Sequence, residues 1–492
     1  MGTSGSIERL SRRGFMGVAA GAAALAGGVK PPRGPQPKPA PPVVPPDAWL
    51  REPERIYSHR GRLAVTLVAE EREAFVAGAR RAAATYNGGV PGPTLIADPG
   101  DRLDVRLVNR LSRPTNLHTH GFHVSPGGNS DNVMLDVPAG ATFDYRFDIP
   151  RDHAPGLNWY HPHPHGDGAR QLFGGMAGTV IFRSEAERRG ASAAVRDRVL
   201  VLQAPEWDTA GQLKVWSAGL LASQVRLVNG QLNPHIALRP GETERWRIVN
   251  ASVSDFFDLR LDGHQLTQIA ADGNPYSRPV TTDVVSLPPG GRAEVLVRSD
   301  TPGTFALHAL PADHGAGFVS PDLVLATVHV EPGLRGVGGR RPFRPEPLLA
   351  PLCDLRTRPV DKRRTITMSM TGGFTIDGKK FDHDRVDQVV ELNALEEWTI
   401  VNDSVLIHPF HIHINPFQVT HIDGVPVDEP GYRDTVTVRP RSSVTFRTVF
   451  EDFTGTSLFH CHIVPHSDLG MMGVFQVVDP TSPGSPLLCR LT

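Results

Sequence analysis

One strand pattern recurs three times along this chain, and that recurrence limits the fold more than any other feature. "PGDRLDVRLVNR" at 99–110, "PGETERWRIVNA" at 240–251 and "ALEEWTIVND" at 394–403 each alternate polar and apolar residues into a Val-Asn pair. A period of two is the mark of a half-buried strand, because successive side chains leave opposite faces of the backbone. A second segment follows each of these: "PAGATFDYRFDI" from 138, "PPGGRAEVLVRS" from 288 and "RPRSSVTFRTVF" from 439. A third set completes the series, "GLNWYHPH" from 156, "GTFALHAL" from 303 and "GTSLFHCH" from 455, with a histidine five positions after the glycine each time. The order never changes, and the Val-Asn pairs lie 141 and 152 residues apart. Repeats at this spacing in a chain of 492 residues predict three copies of one β-sandwich. The 49 glycines and 45 prolines suit a turn-rich all-β protein. Helical periodicity is weak; "EEREAFVAGARRAAA" at 70–84 reads equally as a helix or as a strand with its loop.

Two bulk properties narrow the function. The formal net charge of -1 offers no electrostatic reason for binding nucleic acid or an anionic membrane. The N-terminal "RLSRRGFMGVAAGAAALAGG" places Arg12-Arg13 and Phe15 before a short small-residue stretch, the pattern of a twin-arginine export signal. That stretch is too short and too glycine-rich for a stable membrane span. The proline-rich "PPRGPQPKPAPPVVPP" after it is a tether with no means of building a core, so residues 1–50 are set apart from the fold. Export tolerates disulfides, and of the three cysteines Cys353 and Cys489 form the candidate pair; two free thiols are the alternative.

The middle copy keeps the strand frame and loses the chemistry. Where the first copy has "HPH" and the third "HCH", the middle has "HAL". Four histidine clusters fall in the outer copies: "LHTHG" (His118, His120), "WYHPHPHG" (His161, His163, His165), "HPFHIHINPF" (His408, His411, His413) and "FHCHIVPH" (His460, His462, His466). Residues i and i+2 of a strand share a face, so each His-x-His pair offers two imidazoles side by side. If the pairs act together, the first and third sandwiches must meet. Imidazoles alone do not distinguish copper, zinc and iron. In "HCH", alternation sends Cys461 to one face and His460 and His462 to the other. Cys461, His466 and His408 would then make a trigonal His₂Cys site with a methionine as weak axial ligand, the arrangement of blue-copper centres. Structural zinc sites favour more thiolates than this region offers.

These four motifs, and the H-C-H-x₃-H-x₄-M element most specifically, resemble those of the multicopper oxidases over residues 55–480. The resemblance implies three consecutive cupredoxin-like Greek-key domains, at 51–188, 189–335 and 336–492. It implies four copper ions: a type 1 ion held by His408, Cys461, His466 and Met471, a type 2 ion held by His118 and His411, and a type 3 pair held by His120, His161, His163, His413, His460 and His462. His123 and His165 lie beside the motifs but off them, and Met472 reads as packing. The implied reaction takes single electrons from a phenol, an aromatic amine or a low-valent metal ion, entering at an exposed edge of His466. It passes them through Cys461 and its neighbours, and reduces dioxygen to water in a monomeric, exported enzyme. Asp131 in "GGNSDN" matches an acidic family position serving proton delivery; a turn role is the alternative. Family members with Glu directly after the last type 1 histidine differ from this chain, which has Ser467 and then Asp468, so a second proton route would run through Asp468. Other readings are a copper-resistance protein without turnover, and a structural cupredoxin protein that has lost its ligands. The eight scattered methionines argue against a methionine-rich cuprous specialisation.

Overall fold

The computed structural model describes residues 49–190, 195–214, 225–331, 345 and 348–479. The export-type segment and Cys489 lie outside the described residues, and with them the Cys353–Cys489 pair. Six sheets form three consecutive pairs along the chain. Residues 55–182 make a four-stranded and a five-stranded sheet, residues 196–330 a six and a five, and residues 362–478 again a six and a five.

The repeat in the sequence is the repeat in the structure. The first two strands of each set pair antiparallel in one sheet: Arg102–Asn109 with Thr142–Asp148, Thr243–Asn250 with Arg292–Arg298, and Leu395–Asp403 with Ser443–Val449. The third strands, Gly156–His161, Gly303–Leu310 and Gly455–Cys461, lie in the facing sheets. Their inward residues close separate apolar cores, around Leu107, Tyr145 and Phe147 in the first copy, Trp246 and Val295 in the middle, and Trp398 and Phe446 in the third. A sheet with one face on such a core and one face on water needs the alternation that the sequence displays.

The asparagine of each Val-Asn pair has a physical reason. Asn109, Asn250 and Asn402 are fully buried where the strand runs out. Each side-chain amide donates to backbone carbonyls of the loops that follow: Asn109 to those of Arg113, Val137 and Pro138, Asn250 to those of Asp255 and Leu287, and Asn402 to those of Leu406, Val438 and Arg439. Buried loop carbonyls need partners, and one amide supplies several of them. Asn402→Ala should therefore destabilise the third sandwich by about 3 kcal/mol, since it strands several buried polar groups at once. Chemical denaturation followed by tryptophan fluorescence checks this; an unmoved transition would mean that water replaces the amide.

Residues 70–84 are strand and turn rather than helix. Arg62–Val76 and Ala79–Tyr86 form an antiparallel hairpin closed at Ala77 and Gly78, both at positive φ. The helices of the described residues are short, Gly168–Phe173, Glu185–Arg188 and Val464–Asp468. None is long and apolar enough to cross a membrane.

Candidate metal centre

Strand register builds the site in two halves. In the third sandwich His408–Ile412 pairs antiparallel with Gly455–Cys461, so His411 lies opposite His460 and Phe410 opposite Cys461. Phe410 and Cys461 face the apolar core, and the two histidines face the first sandwich. In the first sandwich His118–His120 pairs with Gly156–His161, which sets His118 opposite His161. The two halves meet. His118 stacks on His413 with ring centres 4.0 Å apart, and His120 stacks on His411 at 3.8 Å. The Nε2 atoms of His163 and His413 lie 3.2 and 3.0 Å from Nε2 of His460. His462 completes the chamber, its ring 5.0 Å from that of His120. All eight imidazoles are buried.

Behind this chamber lies a second cluster. Cys461 Sγ is 3.4 Å from His408 Nδ1 and 3.6 Å from His466 Nδ1, and those two nitrogens are 3.2 Å apart. Atoms so spaced each lie about 2 Å from their common centre, the length of an imidazole–metal bond. The last histidine is carried by the short helix Val464–Asp468. Met471 is fully buried, its N–H donating to His466 O and its carbonyl accepting from Cys461 N, so its backbone bridges two members of the cluster. Met472 pairs with His460 and belongs to a different packing group, as its off-motif position suggests.

Hydrogen bonding aims the rings. His118 Nδ1 meets both carboxylate oxygens of Asp131 at 3.0 and 3.1 Å, leaving Nε2 without a partner. His161 Nδ1 donates to Pro162 O, His411 Nδ1 to Asp434 O and His460 Nδ1 to Cys461 O, while Nε2 of His161 and of His411 is left free of partners. His120 is reversed, with Nε2 on Asp434 at 3.0 Å and Nδ1 unpartnered. His408 Nε2 meets Ser404 Oγ at 2.8 Å. A buried nitrogen without a partner is costly, whereas a ring held by one nitrogen and open at the other is what a metal site requires. Burial and mutual repulsion push these histidines below their ordinary pKa, so they are neutral donors of lone pairs. Burial pushes the Cys461 thiol up, so a cation is needed to favour thiolate there.

One expectation changes in detail. His466 is 4% exposed rather than open at one edge. Phe374 stacks on its ring at 4.5 Å, because the chain at 370–380 folds over this end of the third sandwich. Asp131 is 1% exposed and accepts from the Thr119 N–H as well as meeting His118, which is more than a turn residue does. Asp468 accepts from Ala169 N at 2.8 Å and lines a small cavity with His161, His163, His460 and His462. His165 packs on Phe381, and His123 bonds Asp452 at the surface, both away from the converging nitrogens. Sequence reading missed Ser404, Asp434 and Thr435. "NDSVLIHPF" and "YRDTVTV" carry no metal-type pattern apart from His408, which lies four residues beyond Ser404 and alone hinted at its place.

Comparison with known proteins agrees with this geometry. Multicopper oxidase family models match residues 68–187, 159–327 and 355–481. The multicopper oxidase mco of Staphylococcus aureus is 27% identical over 402 residues, spanning 80% of this chain and 83% of that protein. A multicopper oxidase from Campylobacter jejuni, described as a metallo-oxidase, superposes with a TM-score of 0.76 at 27% identity, over 88% of this chain and 96% of its own. A laccase-like CueO from Ochrobactrum sp., with oxidase activity towards lignin model compounds and lignosulfonate, gives 0.76 and 27% over 87% of this chain and 100% of its own. Three sandwiches of the cupredoxin type, with two imidazole clusters joined at Cys461, make this chain a member of the multicopper oxidase family and a laccase-like, copper-dependent oxidase.

Proposed function

We propose that the chain holds four copper ions and uses them to oxidise a phenol, an aromatic amine or a low-valent metal ion at the expense of dioxygen. The observation that carries this reading is the convergence of unpartnered, buried ring nitrogens on one side of Cys461, with a trigonal His₂Cys set on the other. His408, Cys461, His466 and Met471 would hold the type 1 ion. His118 and His411 would hold the type 2 ion, and His120, His161, His163, His413, His460 and His462 the type 3 pair. Copper so bound supplies one-electron redox chemistry at the first site and dioxygen reduction at the cluster. The polypeptide supplies the link and the protons. The Cys461 carbonyl accepts from His460 Nδ1 at 3.0 Å, so a covalent and hydrogen-bonded path joins the two sides. Asp131 and Asp468 would carry protons on their carboxylate oxygens, since burial lifts them to about 7 and about 6, within reach of neutral pH. The three domains would divide at 51–188, 189–335 and 336–492, and the enzyme would act as a monomer after export on its twin-arginine-type leader.

Copper analysis with oxygen uptake tests this. The loaded enzyme should hold about four coppers and consume oxygen with a phenolic donor. Copper without oxygen consumption, across phenols, aromatic amines, cuprous and ferrous ions, would instead mark a copper-resistance protein. Met471→Leu should keep its blue colour and raise the type 1 potential, because loss of the weak thioether favours the reduced ion. Redox titration of the blue band reads this, and an unchanged or lower potential would remove Met471 from the ligand set.

A further inference from the structure

The middle sandwich has no His-x-His pair of its own, yet one of its side chains reaches the chamber. Thr142, Arg292 and Ser443 occupy the same position in the three copies of the second strand. Thr142 is exposed and Ser443 half-buried, but the Arg292 guanidinium is fully buried. A buried cation is costly unless it is paired and hydrogen-bonded, so its partners indicate its purpose.

The carboxylate it grips belongs to the third sandwich, while Nη1 also donates to Gly290 O at 3.2 Å and Nε to Leu157 O of the first sandwich at 3.5 Å. Arg292 Nη1 and Nη2 grip the two oxygens of Asp434 at 2.6 Å each, a bidentate fork. Asp434 in turn holds two rings of the chamber. Its Oδ1 accepts from His120 Nε2 at 3.0 Å, and its backbone carbonyl from His411 Nδ1 at 2.7 Å. Thr435 Oγ1 supports both, 2.9 Å from Asp434 Oδ1 and 3.3 Å from each of those ring nitrogens. Asp272, also of the middle sandwich, receives the N–H groups of Asp434 and Thr435 at 3.2 Å and that of Arg292 at 2.8 Å. The fit is close on every side. A Cβ on Gly121 would strike Asn158 and Arg292, and one on Gly290, at φ +82°, would lie 2.8 Å from the His462 ring.

We propose that Arg292 is a positioning residue, through which the middle sandwich sets the trinuclear half of the site: by fixing Asp434 it holds His120 with Nε2 outward and Nδ1 inward, and His411 with Nε2 inward. This rests on the copper assignment above. The guanidinium needs its planar fork for this, since an ammonium cannot grip both oxygens in one plane.

The test compares full-length, copper-loaded wild type with Arg292→Lys and Asp434→Asn. In both variants the blue absorption and anaerobic reduction of type 1 copper should stay at wild-type level. Copper content should fall towards the type 1 complement, or the type 2 electron paramagnetic resonance hyperfine splitting should change, and reoxidation by oxygen should slow at least tenfold. Crystals of metal-free Arg292→Lys should show the His120 ring turned or displaced. Variants with wild-type type 2 spectra and reoxidation overturn the proposal. So does parallel loss of type 1 copper and thermal stability, which would mark Arg292 as a general interface residue. A wild type that binds no copper in the chamber would refute the metal assignment itself, and the metal-free crystals would still report on the ring.

Discussion

Cys461→Ser is expected to abolish the blue colour and to lower oxygen consumption by about 10³-fold, roughly 4 kcal/mol of barrier. Among the described residues, Cys461 is the only one with a place in both clusters. Its Sγ closes the trigonal set with His408 and His466, and its backbone carries His460 and His462 into the chamber. Serine offers a hard hydroxyl in place of a soft thiolate, which disfavours copper and removes the sulfur that produces the colour. The fold should survive. The position is fully buried among Met471, Ile463 and Phe459, and a hydroxyl of nearly the same volume costs about 1–3 kcal/mol there. Visible absorption, copper analysis and a thermal melt on one preparation separate the outcomes. A blue and active variant would sink the assignment of Cys461.

Asp131→Asn should slow reoxidation of the reduced enzyme by about 10²-fold and leave its reduction by substrate untouched. The carboxylate is 1% exposed, faces His118 Nδ1 with both oxygens and accepts from Thr119 N at 2.9 Å. Burial raises it to about 7, so at neutral pH it both holds and releases a proton; an amide keeps the shape and cannot. Anaerobic reduction followed by rapid mixing with oxygen isolates the step. Reoxidation at the wild-type rate would reduce Asp131 to an orienting partner of His118. Because Asp131 bonds His118, Thr119 and Ser125 and none of His408, Cys461 and His466, the type 1 colour is an internal control for folding.

How much of this could be read from residues alone follows from the range of each interaction. The repeated strands, their inward faces and the Val-Asn ends are local patterns with a period of two, and they reappear as three pairs of sheets. The division of labour within "HCH" was legible for the same reason, since alternation along one strand separates Cys461 from its neighbours whatever surrounds it. The ambiguity at 70–84 was local too: alanine and arginine suit either state, and pairing in a hairpin decided it. Sequence required the first and third sandwiches to meet, but it could not reveal the particular contacts that their docking creates. Asp434 reaches His120 across 314 residues and Arg292 across 142, with no spacing or periodicity to announce either contact. Phe374 covers His466 because of where a loop folds. Strand chemistry determined which residues could hold metal; only the packing of the three sandwiches decided which ring nitrogens point inward, because a tautomer depends on the partner that the other nitrogen finds.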